Sequence, residues 1–170
     1  AVSPEVDALI KEAGLKRDQP EKALALLEKA RALAPSHPGP LIALYRFHFY
    51  GHALDKARAV GEDALAIARA ALGPNFGDQP PDDDALRHDP AVRFYLFTLK
   101  GLAYLNLRLG DFDEARLMLA ALRQLDPKDH LGGALLSHVL ARREAADTPD
   151  AVDPLSAYPV RGWSGDGAKL

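Results

Sequence analysis

Cysteine is absent from the 170 residues, and methionine and tryptophan occur once each. Without a thiol there are no disulfides, thiolate metal sites or cysteine nucleophiles, and the composition is compatible with a reducing cytoplasm. Neither sign of charge dominates: 21 Lys and Arg stand against 24 Asp and Glu, for a net charge of -3. The broad basic field that nucleic-acid binders use is therefore missing, and nucleic acid is not expected as a partner. No stretch approaches the roughly 20 apolar residues that span a bilayer. The opening AVSPEVDALIKEAG has neither a basic start nor a continuous apolar run. A soluble cytoplasmic protein is expected, with no membrane association and no processing beyond loss of an initiator Met before Ala1. Signatures of catalysis are missing as well: no phosphate-cradling glycine loop, dinucleotide fingerprint or nucleophile elbow occurs. Neither enzyme activity nor a cofactor is expected.

What is present is helical punctuation. Ser3 and Pro4 form an N-cap followed by a first-turn proline, where a missing N–H costs nothing, and Val6, Leu9, Ile10 and Ala13 supply an apolar stripe. Pro20 opens a second helix whose Ala23, Leu26, Leu27, Ala30 and Leu33 recur at helical spacing until Pro35 stops it. An aromatic-rich helix follows over 39–50, then a turn at Gly51-His52, and another helix begins at Leu54. Nothing stops that helix at Arg69, so it is expected to run on to Gly73-Pro74. Asp89-Pro90 starts a long helix running to about Leu109, and the residues between form a Pro, Gly and Asp-rich insertion loop, 73–89.

These segments repeat. Ala57 follows Ala23, and Ala64 follows Ala30, at one period of 34 residues. Residues 101–129 hold the clearest unit: the Leu102-Ala103 pair, the Gly110-Asp111-Phe112 turn, Ala115, Leu119 and Leu125-Asp126-Pro127. Carried by these residues, the chain resembles the tetratricopeptide repeat (TPR) family. The resemblance implies an all-α fold, a right-handed α-solenoid of antiparallel helix pairs with about seven helices. Its repeats would lie at about 4–37, 38–72 and 90–129, with a capping helix over 130–146, making residues 1–146 one helical domain and 147–170 a Pro/Gly-rich tail. Tyr45 and Gly61 invert the large and small positions of the pattern, a swap that conserves local volume.

Repeats of this family are scaffolds for protein–protein interaction, so the resemblance implies a non-catalytic adaptor. It places Glu5, Ala8, Glu12 and Leu15 of the first repeat on the concave face, then Arg46, Phe49 and Tyr50 of the second. Phe97, Lys100, Tyr104, Leu107 and Arg108 of the third follow, and His138 and Arg142 of the cap. Cations and aromatics thus gather on one surface of an acidic chain. Such a surface suits a protein or peptide partner with acidic and apolar residues, held by Arg–carboxylate hydrogen bonds and aromatic anchors. Members that clamp the carboxylate of heat-shock chaperones use paired Asn and Lys or Arg. Here Lys100 fits alone, Asn106 falls on the packing side, and Ala43, Arg46, Gly101 and Tyr104 hold the other sites, so no such clamp is expected.

A second reading is a small assembly or secretion chaperone for a specific client. Around residues 41–65 and 93–105 the chain is similar to small repeat proteins associated with nitrogen fixation. Two histidines four apart, His48 and His52, have helical metal-ligand spacing. They lack a third ligand, and Gly51 ends the helix between them, so a metal is not expected. Asp82, Asp83 and Asp84, with His88 and Asp89, read as a solvated acidic loop rather than a cation site. In the tail, Tyr158 and Trp163 among Asp150, Asp153 and Asp166 have the character the surface would select, which suggests self-association.

Overall fold

The computed structural model describes residues 3–146. Among them are eight helices and no strand: α1 (Pro4–Gly14), α2 (Pro20–Leu33), α3 (Pro38–Tyr50), α4 (Leu54–Leu72), α5 (Asp83–His88), α6 (Pro90–Leu109), α7 (Phe112–Leu125) and α8 (Gly133–Ala145). The fold is all-α, and none of these helices is long and apolar enough to cross a membrane. The tail and its suggested role in self-association lie outside the described residues.

Local chemistry explains where the helices begin. Ser3 Oγ accepts from Val6 N–H at 3.3 Å ahead of Pro4, and Asp89 Oδ1 accepts from Ala91 and Val92 N–H at 3.0 and 3.3 Å ahead of Pro90. α3 starts one residue earlier than the sequence suggests, because His37 Nδ1 accepts from Gly39 N–H at 2.9 Å and Pro38 takes the first turn. α4 passes the place of the missing proline, as expected, and the residue there helps to end it: the Arg69 guanidinium donates to Gly73 O at 2.9 Å.

The insertion differs from the expected loop. Asp82 Oδ1 accepts from Ala85 N–H at 2.8 Å and starts α5, so the acidic run is a helix start in its own right and the helix count is eight. Apolar periodicity could not reveal this helix, since none of its residues is buried. The insertion is tied to α6 at two points. The Phe76 ring meets Tyr95 edge-on at 5.3 Å, with the Arg69 guanidinium 5.6 Å from the Phe76 centroid, and Arg93 Nη1 donates to Leu86 O at 2.8 Å.

By compactness the chain divides into residues 1–67 and 68–170, the division falling inside α4. In the first unit α2 packs on both α1 and α3, and α1 also touches α3. Val6, Leu9 and Ala30 form a cluster flanked by Ile10, Leu26 and Ala34. Ala30 is fully enclosed, and a small side chain there lets the backbones approach. Tyr45 is half-buried and Gly61 buried.

In the second unit α7 packs on α6 and α8, and α6 also touches α8. Every residue of α6 from Gly101 to Leu107 is buried, as befits a helix covered on more than one side. Asn106 is the polar member of that run. Its Nδ2 donates to Leu102 O at 3.0 Å and to Met118 Sδ at 3.4 Å, which satisfies a group that would otherwise be costly to bury. Gly133 lets α8 close on α7, since a Cβ there would lie 2.6 Å from Leu122 Cδ2. An Arg116–Glu144 ion pair and the Arg143 guanidinium 5.3 Å from the Phe112 centroid join the start of α7 to the end of α8.

Candidate interaction surface

Residues three or four apart share a helix face, and α6 carries Arg93, Phe97, Lys100, Tyr104 and Arg108 at such steps. The Arg93 guanidinium lies 5.3 Å from the centroid of the half-buried Phe97 ring, and the Arg108 guanidinium 5.6 Å from that of Tyr104. Arg108 Nη1 also donates to the Tyr104 hydroxyl. Each end of the stripe is thus an arginine laid over an aromatic ring, with the charge kept at the water-facing side.

Lys100 sits between them and is half-buried. A Cβ on Gly132, the residue that opens α8, would come 3.5 Å from its ammonium. Burial pushes the Lys100 pKa below the ordinary lysine value, while Asp129 and Asp126 pull it back up. On α8, His138 and Arg142 are exposed at neighbouring positions of one face. The second unit therefore brings Phe97, Lys100, Tyr104 and Arg108 onto one face of a helix that packs against the helix carrying the other two.

One expected anchor is corrected. Tyr104 is only 4% exposed, so its ring belongs to the packed interior and presents no open aromatic face. Leu107 is likewise fully enclosed. The cause is the packing of α6 against both α7 and α8, which covers more of its circumference than a single partner would. The Asn106 expectation agrees with the structure, since that side chain is buried on the packing side.

The first unit holds a separate cluster at the end of α3. Arg46 is exposed; Phe49 is half-buried and stacked on Tyr45 at 6.1 Å with the planes 8° apart; Tyr50 meets Phe49 edge-on at 5.2 Å and is 54% exposed. Glu5, Ala8, Glu12 and Leu15 are all exposed on or next to α1. His48, which meets Phe47 edge-on at 5.4 Å, has its pKa lowered chiefly by burial and then by Lys56, against Glu28 and Asp55. His52 lies beyond the helix end with φ 62°, so the two imidazoles do not share a helix face. Among the described residues no three His, Asp or Glu side chains are grouped to hold a metal ion.

Sequence reasoning missed two sets of residues. Arg93 had a signal, one helical turn before Phe97. The second set is Asp83 of α5 with Lys128 and His130 of the α7–α8 turn, whose nitrogens lie 3.2 and 3.4 Å from its carboxylate. Widely separated in sequence, these had none.

Among known proteins, the chain is similar to an uncharacterized 19.8 kDa protein in the nifW 5′ region of Azotobacter chroococcum mcd 1, with 36% identity over 124 residues, 70% of each chain. No protein-family model matches the chain, and no solved structure matches it with significance.

Proposed function

The chain belongs to the family of that nifW 5′-region protein, and we propose that it is a non-catalytic interaction module of the tetratricopeptide type. Its partner is a peptide or protein surface bearing acidic and apolar residues, met in the cytoplasm. The helix pairs α1–α2 and α6–α7, the alanines one period apart and the Gly110 turn support the repeat reading. The observation that carries the functional reading is the stripe Arg93, Phe97, Lys100 and Arg108 on α6. Three cations there surround aromatic surface in a chain of net negative charge. Guanidinium groups are suited to bidentate carboxylate hydrogen bonds, and the half-buried Phe97 ring beneath Arg93 supplies apolar area. Because Tyr104 is covered, Arg108 binds through its charge, and Phe97 is the aromatic contact on this face.

The test is an affinity purification from the native host at low salt, comparing the parent chain with one carrying Arg46→Glu, Lys100→Glu and Arg108→Glu. A partner lost on charge reversal and regained on its own acidic-to-basic reversal is the expected result. A partner retained by the reversed chain excludes the basic stripe as the binding surface.

The position named for the relative, together with the similarity to small nitrogen-fixation repeat proteins, favours a second reading: an assembly chaperone for one client of a nitrogen-fixation system. The two readings part on what happens to the partner. A client becomes unstable in cells when this chain is removed, whereas the partner of an adaptor persists.

A further inference from the structure

The α7–α8 turn and the insertion helix α5 meet through one carboxylate. Asp83 Oδ2 accepts from Lys128 Nζ at 3.2 Å, and His130 Nε2 lies 3.4 Å from Oδ1, so two basic side chains grip one acid from the same side. Between them is a cleft of about 300 Å³, walled by Pro80, Pro81 and Leu86 of the insertion and by Pro127 of the turn.

The two sides of this contact are unequally built. The turn is rigid by its own bonding: the buried Asp126 carboxylate accepts from His130 N–H at 2.9 Å and from Leu131 N–H at 2.8 Å, and Asp129 Oδ1 accepts from Ala134 N–H at 3.0 Å. The helix opposite has six residues, none of them buried; it packs along α6 through half-buried residues and is otherwise held by exposed ion pairs and the Arg93–Leu86 hydrogen bond. Helices that short do not persist alone, and exposed ion pairs contribute little. A hydrogen-bonded turn therefore presents two exposed basic side chains to a weakly retained occupant.

The geometry points to a second binding site: Lys128 and His130 form a carboxylate cradle that α5 fills in the free protein, and an acidic partner segment replaces α5 there. The occupant shows what the cradle takes. Asp83 sits on Lys128 and His130 while Leu86, three residues later on the same face, lines the cleft, and prolines precede both. The replacing segment is one helical turn with a carboxylate followed three residues on by an apolar side chain. This rests on the reading of the partner as acidic and apolar, but uses residues outside the α6 stripe. The lysine hydrogen bond and charge also hold the Asp83 carboxyl below the ordinary aspartate value, so the contact is charged at neutral pH.

The experiment uses the full chain and, as probe, a labelled peptide copying residues 79–88. Asp83→Asn is compared with Asp84→Asn, which makes the same charge change in the same helical turn. Hydrogen exchange at the α5 amides is expected to quicken about fivefold in Asp83→Asn and not in Asp84→Asn, the size a single exposed ion pair allows. Probe affinity should rise by a similar factor in Asp83→Asn and vanish when Lys128→Glu and His130→Glu are added. Equal exchange in the two aspartate variants, absent probe binding to Asp83→Asn, or binding that survives the cradle reversal overturns the proposal. Arg108→Glu should leave the probe bound. If it abolishes binding while the cradle reversal does not, the cradle falls; the opposite pattern upholds the cradle, and the stripe is judged separately by the charge-reversed affinity purification.

Discussion

The triplets α1–α2–α3 and α6–α7–α8 use one plan, a helical hairpin with a third helix laid on the second and touching the first. They differ in what happens to their aromatics. On α3 the rings lean on one another, and only Pro40, Leu41 and Leu44 of that helix are buried, leaving Tyr50 more than half exposed. On α6 a continuous run is enclosed, and the Phe97 ring before it and the Tyr104 ring within it are roofed by Arg93 and Arg108. An arginine roof lets an aromatic be buried without leaving a greasy patch, and it leaves a charged surface. A ring-on-ring stack leaves its outermost member as apolar surface. The first triplet thus offers shape and hydrophobic area, the second charge.

Truncation in the cores should separate the two triplets most. Leu44 and Leu105 are both fully buried, and replacing either by Ala is expected to cost about 2–5 kcal/mol. Leu105 should lie at the upper end, because α6 is covered on more sides and collapses less readily into the space. Urea denaturation of both variants measures this, and a larger loss from Leu44→Ala would break the contrast. Next in size, Asp126→Ala removes a buried carboxylate that caps two backbone N–H groups of the α7–α8 turn. A loss of about 2–3 kcal/mol is expected from hydrogen bonds of that kind. In the first triplet the matching C-cap position, before Pro35, is Ala34, which has no such side chain.

The helix ends invert glycine usage. α6 ends on Gly110 at φ 80°, whereas after α3 the left-handed position falls to His52 at φ 62° while Gly51 sits at φ -81°. Gly110→Ala is expected to destabilise by about 1 kcal/mol, and His52→Gly to stabilise by up to about the same, since the strain belongs to the Cβ at positive φ. Thermal melts of the pair check both signs.

The smallest effects are in pH dependence. His48 is depressed in the folded state, chiefly by burial, so its contribution is present above the ordinary value of 6.5 and lost as pH falls through the folded value. In His48→Gln the acid-side slope of unfolding free energy should flatten. Lys100 is depressed for the same leading reason, so stability should rise with pH between its folded value and the ordinary 10.5, and Lys100→Met should remove that rise. Parallel pH profiles for parent and variant would exclude these groups as the source.

Most helix boundaries were legible because they are written in local chemistry: Ser3-Pro4, Pro20, Asp89-Pro90 and Gly110 act on the backbone within one turn. The overrun past Arg69 was legible as a missing stop. Four things were not. The start of α3 depends on an imidazole acting as N-cap, a task more often done by Ser, Thr, Asp or Asn. α5 has an N-cap signal at Asp82 but no buried stripe to mark it. The burial of Tyr104 depends on how α7 and α8 together surround α6, a relation between segments that spacing along one helix does not contain. The Asp83–Lys128–His130 contact failed for the same reason.

Asp89 serves two helices with different atoms. Its backbone N–H donates to Ala85 O at 3.0 Å and closes α5, while its carboxylate accepts from Ala91 and Val92 and opens α6. The two duties are separable, so α5 can unwind up to this residue without loosening the first turn of α6. In mechanical language the residue is a pivot with one free arm, and in evolutionary language it is a seam. A change of length between Gly73 and Asp89 would leave the long helix beyond with its own anchor.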